Sequence, residues 1–261
     1  MTIKKLRSRL KESESEIENL LRQERMKADF IADATHEFRT PLAIIKGNID
    51  LAFQSKKKPN PSAREALLAI DKEVKHLSGL LSDLSLLTMR GKEYEKNIIF
   101  ERVNLSTIIP EVIERCRSLV LTNENNISIE VAGKIPPITL YGHGLYLEKL
   151  FLNIINNGII YGKKDGKVTV SVMVNKKNAV IKIKDNGLGI VSKSLPHIFE
   201  RFYRVDTTRA SSHGASMGLG LAISKWITKI HGGNITAQSP GKDKGSTFII
   251  TLPLGAKKKK N

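Results

Sequence analysis

Two amphipathic stripes separated by a short breaker limit what this chain can fold into. Apolar residues recur at Ile31, Ala34, Phe38, Leu42, Ile45 and Ile49, the spacing of one helix face. SKKKPNPS, residues 55–62, then marks a turn by its two prolines and its lysine run. A strict heptad follows at Leu67, Ile70, Val74, Leu77, Leu81 and Leu84. Two helices joined by so short a loop form an antiparallel hairpin. Each has only one apolar stripe, so a second copy completing a four-helix bundle is the natural way to cover both. Ahead of the hairpin, residues 1–28 carry a heptad-like series at Ile3, Leu6, Leu10, Ser13, Ile17 and Leu20. This reads as a short parallel coiled coil with its seam weakened by Ser13 and Glu24; the alternative is a single amphipathic helix.

The first stripe turns one histidine outward. At about 100° per residue, His36 lies about 200° from both Ala34 and Phe38 and so faces water. Glu37 beside it can hydrogen-bond one ring nitrogen and leave the other as a nucleophile. Thr40 shares the face of His36 one turn on. Pro41 has no N–H, so the carbonyl of Glu37 loses its helical partner and a bend is expected there. The run Thr35-His36-Glu37-Phe38-Arg39-Thr40-Pro41-Leu42 resembles the H-box of the two-component sensor histidine kinases. The resemblance implies that His36 is the phosphorylated residue, that Glu37 is the base activating it, and that Thr40 positions water for dephosphorylating a partner.

Composition narrows the alternatives. A length of 261 residues allows one or two domains with ordinary cores. The single cysteine, Cys116, excludes an internal disulfide and suits a reducing compartment. No apolar run approaches the roughly 18 residues that cross a bilayer, so the chain reads as soluble. The formal charge of +17 raises nucleic-acid or anionic-membrane contact. Few aromatics interleave with the basic residues, and neither zinc spacing nor an RNA-binding signature is present. The charge therefore reads as a lysine-rich surface plus the tail at residues 257–261, and no nucleic-acid partner is expected.

Arg90-Gly91-Lys92 marks a domain boundary, which places the hairpin at residues 29–91 and a second domain at 92–256. In that domain, helices are expected over Ser106–Val120, Tyr146–Ile160 and Leu219–Ile230. Strands are expected over Ile127–Val131, Val168–Val174, Val180–Lys184, Asn234–Ala237 and Thr247–Leu252. Mixed without regular βαβ alternation, they predict an α/β sandwich with helices over one face of a mixed sheet.

The second domain has no Walker A motif and no dinucleotide fingerprint. Three separated constellations offer another way to hold a nucleotide. Asn153 and Asn157 stand four apart on one helix face, with amides able to offer oxygen to a metal or nitrogen to phosphate. Asp185-Asn186-Gly187-Leu188-Gly189-Ile190 follows a strand, with a carboxylate able to accept from an adenine amino group. Gly218-Leu219-Gly220-Leu221 opens a helix whose free N–H groups and dipole suit phosphate. In this order they resemble the N, G1 and G2 boxes of the histidine-kinase ATP domain, the fold shared with gyrase and Hsp90. Ile198-Phe199-Glu200-Arg201-Phe202-Tyr203-Arg204 resembles the F box that opens a mobile ATP lid, and Gly245-Ser246-Thr247-Phe248 resembles the last nucleotide-binding strand.

The resemblance implies Asn157 as a magnesium ligand, Asn153 near the phosphates, Tyr161 packed on the adenine and Asp185 on its amino group. It also implies that Gly187 and Gly189 shape the base pocket, that Gly218, Leu219 and Gly220 receive phosphate, and that Arg204 faces the terminal phosphate. Gyrase-like hydrolases carry a Glu at the place of Asn153; an amide cannot activate water, which favours transfer to His36 over hydrolysis. The expected reaction is phosphorylation of His36 by Mg-ATP, then transfer to an Asp of a separate response regulator. The alternative is a nucleotide-binding protein that is phosphatase-dominant or non-catalytic. Three departures stand out: Ile160 replaces the family's Lys, with Lys163 and Lys164 the nearest substitutes; His143 stands where Asp is common; and Gly214-Ala215-Ser216-Met217 is poor in glycine. Opening on a coiled coil, the chain is expected to be the cytoplasmic portion of a larger, membrane-anchored receptor.

Overall fold

A computed structural model describes residues 13–18, 20, 38, 40–52, 61–88, 98–120, 126–175, 177–205 and 218–255. His36, Glu37, most of the coiled-coil series, Gly214–Met217 and the basic tail lie outside the described residues. So does the carbonyl on which the expected bend at Pro41 turns. The chain divides into two compact units, Met1–Ser82 and Asp83–Asn261.

In the first unit, helix α1 runs over 40–52 and helix α2 over Pro61–Thr88, its last turns falling in the second unit. Pro61 opens α2, where a missing N–H costs nothing. Ala66 is buried, but the stripe residues Leu42, Leu67 and Val74 stay exposed, as do Leu51 and Leu68. Residues 13–18 and 20 are helical, with Ile17 and Leu20 exposed.

The second unit is built on strands β1 (Glu101–Asn104), β2 (Ser128–Val131), β3 (Thr139–Gly142), β4 (Lys167–Val174), β5 (Asn178–Asp185), β6 (Asn234–Gln238) and β7 (Thr247–Pro253). Its helices are α3 (Leu105–Val120), α4 (Gly144–Ile160) and α5 (Gly220–Ile230). Five strands form one sheet in the order β2-β4-β5-β7-β6. β2 and β4 are parallel and the other pairs antiparallel, so the sheet is mixed.

Alternation decides which face is covered. Val168, Val170 and Val172 of β4, Ala179, Ile181 and Ile183 of β5, and Phe248, Ile250 and Leu252 of β7 are all buried. They lie in register, Ile181 between Val172 and Ile250. α3 packs on α4 and α4 on α5. In α3 the buried positions Leu105, Ile109, Val112, Ile113 and Cys116 keep the helical period. α4 contributes Leu147, Leu150, Phe151, Ile154 and Ile155.

α3 and α4 start one and two residues before expectation because their caps lie upstream, whereas α5 starts at Gly220, one residue after it. Asn104 Oδ1 accepts from Ser106 N at 2.9 Å, and His143 Nδ1 accepts from Tyr146 N at 3.4 Å. The antiparallel ribbon of β1 and β3 is an addition to the sequence reading. β1 (ERVN) buries one apolar side chain, Val103, and β3 (TLYG) one, Leu140, so neither shows an apolar alternation.

Ile181→Ala, at the centre of the sheet and fully buried, should destabilise the second unit by about 2–5 kcal/mol. Urea unfolding followed through the single tryptophan, Trp226, measures it.

Candidate functional site

Asp185 ends β5 and is buried. Its Oδ1 accepts from the backbone N–H of Gly187 at 2.9 Å and of Ser246 at 3.2 Å, and its Oδ2 accepts from the Ser246 hydroxyl at 2.5 Å. Three donors on its two oxygens hold the carboxyl group in one orientation. The backbone repeats the tie, with Asp185 N donating to Ser246 O at 2.9 Å and Gly245 N to Gly187 O at 3.0 Å.

The loop after Asp185 is held from both sides. Leu188 N donates to Tyr161 O at 3.0 Å, and Asp243 N to Leu188 O at 2.5 Å. This explains both glycines. A Cβ on Gly187 would stand 2.2 Å from Tyr161 O. Gly189 has φ +67, and a Cβ there would stand 2.1 Å from Gly241 O. The end of α4, the Asp185–Gly189 loop and the β6–β7 loop therefore form one wall. Tyr161 caps α4 with its side chain exposed beside it.

Asn153 Nδ2 donates to Gly220 O at 3.1 Å, binding α4 to the first residue of α5. The N-terminus of α5 has no side-chain cap, since Leu219 makes no capping hydrogen bond. Such a terminus offers N–H groups and a partial positive charge to an anion. Asn157 lies one turn beyond Asn153 on α4, half-buried. A single neutral amide oxygen fits Mg2+, which is held by one or two protein oxygens with phosphates and water supplying the rest.

The F-box segment is pinned by Phe202 N donating to Gly218 O at 3.1 Å. Phe202 itself has φ 63, a strained value for a bulky side chain. The Phe199 ring meets Phe248 edge-on at 6.4 Å and lies under Lys225 at 5.8 Å. Arg204, half-buried, follows.

The structure thus brings together Asp185, Gly187 and Gly189 with the backbone of Tyr161, and Asn153 with Gly220. Thr40 lies in the other unit, exposed on its helix. Ser246 as the partner of Asp185 was not foreseen, although the Gly-Ser-Thr run at a strand start signalled a close approach. Lys163 Nζ donates to Asp243 O at 2.6 Å and so ties α4's trailing turn to the β6–β7 loop. Cys116 is buried and its thiol is pushed up to about 11, mainly by desolvation, with nearby Arg115 pulling it down. A thiol so held is no nucleophile.

A strand-end carboxylate, an amide-bearing helix and an uncapped helix terminus over one mixed sheet define a nucleotide-binding domain of the gyrase and Hsp90 type. Residues 142–256 match the family described as histidine kinase-, DNA gyrase B-, and HSP90-like ATPase. Residues 26–93 match the His Kinase A (phospho-acceptor) domain. The chain belongs to the two-component sensor histidine kinases, as a catalytic core with both domains in that order. It is 32% identical over 227 residues to the phosphate regulon sensor protein PhoR of Pseudomonas aeruginosa, covering 86% of this chain and 49% of PhoR. It is 34% identical over 249 residues to the signal transduction histidine-protein kinase ArlS of Staphylococcus aureus, covering 95% of this chain and 53% of ArlS. The chain therefore spans about half the length of these curated relatives. In fold it is similar to histidine kinase ThkA, solved in complex with response regulator protein TrrA: TM-score 0.58, 21% identity, 88% of this chain and 62% of that one.

Gly189→Ala should lower the melting temperature and weaken binding of an ATP analogue together, because a Cβ there meets Gly241 O and α-L strain at once. The strain alone costs about 1–3 kcal/mol. Calorimetric melting and titration on one preparation check it.

Proposed function

We propose that this chain is a protein histidine kinase, transferring the γ-phosphoryl group of ATP to His36 and then to an aspartate of a response regulator. The observation that carries the reading is the cradle around Asp185, Asn153 and the uncapped start of α5, on a chain that also bears the H-box. Asp185 would accept from the adenine amino group while Tyr161 covers the base and Gly187 and Gly189 let it approach. Gly218, Leu219 and Gly220 would receive the phosphates, with Arg204 facing the terminal one. Asn157 would hold Mg2+ through its amide oxygen. When bound with the nucleotide, Mg2+ neutralises charge on the phosphates.

The chemistry falls to the H-box. The unprotonated ring nitrogen of His36 attacks the γ-phosphorus, an N–P bond forms, the bridging P–O bond breaks and ADP leaves. Glu37 holds the other ring nitrogen and serves as base. Asn153 cannot replace it at the nucleotide, because its amide nitrogen is directed at Gly220 O and an amide does not activate water. Thr40 would position water for removing phosphate from the regulator.

Exposed Leu42, Leu67 and Val74 support a homodimer in which the hairpin at 29–91 forms a four-helix bundle. The domain at 92–256 would follow it. ThkA was crystallised with a response regulator, which supports such a partner here. Among the described residues no helix is long and apolar enough to cross a membrane. The names and greater lengths of the relatives support a sensor region and membrane anchor outside this sequence.

A second reading, a phosphatase-dominant or non-catalytic nucleotide-binding protein, is favoured by one observation. Ile160 takes the family's Lys position, and Lys163 is engaged with Asp243.

Incubation with labelled ATP and magnesium should give acid-labile, base-stable label on the protein, and His36→Gln should abolish it while ATP binding persists. ATP binding without label in the parent chain establishes the second reading instead. Thr40→Ala should keep this labelling and lose dephosphorylation of the regulator; loss of both activities in parallel contradicts the role of Thr40.

A further inference from the structure

α4 and α5 run antiparallel and are pinned at both ends. At the nucleotide end the pin is Asn153 Nδ2 on Gly220 O, 3.1 Å. At the far end it is the backbone N–H of His143 on His231 Nε2, 3.0 Å. His143 and Asn153 stand ten residues apart on α4, and Gly220 and His231 eleven apart on α5. Both spans come to about 15–17 Å of helix, so the two pins close a ladder of equal sides. Between them Tyr146 of α4 meets Trp226 of α5 edge-on at 5.4 Å.

The far pin fixes its own proton. A backbone N–H only donates, so His231 Nε2 must present its lone pair. A carbonyl only accepts, and Nδ1 lies 2.8 Å from Ile227 O, so Nδ1 carries the hydrogen. His231 is therefore a neutral ring with one allowed tautomer, 4% exposed. The β1–β3 ribbon seats it. A Cβ on Gly142 would come within 2.7 Å of His231 Cδ2, and the Phe100 ring lies 5.0 Å from the imidazole. None of this serves the chemistry directly, since the Gly218–Gly220 turn lies at the opposite end of α5.

We propose that His231 is a positioning residue for nucleotide binding: its imidazole sets the axial register of α5 against α4 and so the spacing between the Asn157 amide and the phosphate-binding start of α5. The inference rests on the nucleotide reading given above. Phosphates that engage both helices need that spacing in advance. A helix pair held at one end only can pivot about Asn153, and binding must then supply the ordering. The far pin removes that cost before the nucleotide arrives.

Two variants separate the pin from the general packing of the ring. In His231→Gln the amide oxygen reaches the place of Nε2 and can accept from His143 N–H. In His231→Asn the shorter amide reaches the place of Nδ1, keeps the bond to Ile227 O and cannot reach His143. Both are made in the full chain and titrated calorimetrically with a non-hydrolysable ATP analogue and magnesium, with melting temperature and Trp226 emission recorded. The Gln variant should bind within about twofold of the parent, and the Asn variant about three- to tenfold more weakly, the range set by one hydrogen bond. Trp226 emission should move in the Asn variant alone. Equal affinities for the two variants overturn the proposal. Should either variant fail to fold, the parent decides it by nitrogen NMR of labelled histidine. An Nδ1-protonated His231 whose Nε2 accepts a hydrogen bond both before and after the analogue is added upholds the pin, and an Nε2-protonated ring, or an Nε2 hydrogen bond that forms only when the analogue is added, overturns it. Failure of the parent chain to bind the analogue is a different result, which removes the nucleotide reading itself.

Discussion

A buried carboxylate must be paid for in hydrogen bonds, and the nucleotide-binding unit is arranged around supplying them to Asp185. Two backbone N–H groups and one hydroxyl converge on it from two segments that are distant in sequence. Gly187 lies two residues on, but Ser246 immediately precedes β7. The Asp185–Ser246 contact thus welds the loop after β5 to the strand beside it, and the Tyr161–Leu188 bond extends the weld to the end of α4. With three donors already in place, the carboxylate is fixed in one orientation. That is the state in which a remaining lone pair can discriminate an amino group from a carbonyl.

Patterns that repeat along the chain were legible before the structure. β5 and β7 bury every second residue, and β4 does so as far as Val172, because one face of the sheet carries the helices and the other meets water. α3 buries Leu105, Ile109, Val112, Ile113 and Cys116 because it lies flat on its neighbours. β1 and β3 escaped because each buries only one apolar side chain, Val103 or Leu140, and their purpose lies in what they seat, the His231 ring. The glycines at 187 and 189 were legible as a close approach, but not what they approach. Contacts such as Ser246 on Asp185 or His231 on His143 join residues 61 and 88 apart and leave no local trace.

Lys163 shows what a local reading leaves out. It follows α4 closely in sequence, and a cation there invites assignment to phosphate. Yet the chain turns at Tyr161, and Gly162 and Gly166 keep the next residues tight against the end of the helix. The Lys163 ammonium then reaches the Asp243 carbonyl, which ties the β6–β7 loop to the same wall as Leu188. That contact joins residues 80 apart and leaves no local trace in the sequence.

Ile160 in place of the family's Lys bears on how a triphosphate would be balanced. With Ile160 exposed at the end of α4, the proposed site would lean more heavily on the start of α5, on Arg204 and on the metal that accompanies the nucleotide. A helix terminus acts through partial charge and fixed N–H direction, and its effect falls off within one turn. It therefore tolerates little displacement, whereas a long lysine side chain follows its ligand. A site that leans on α5 in this way needs α5 held in place from elsewhere, and the ties at Asn153 and His231 hold it from both ends.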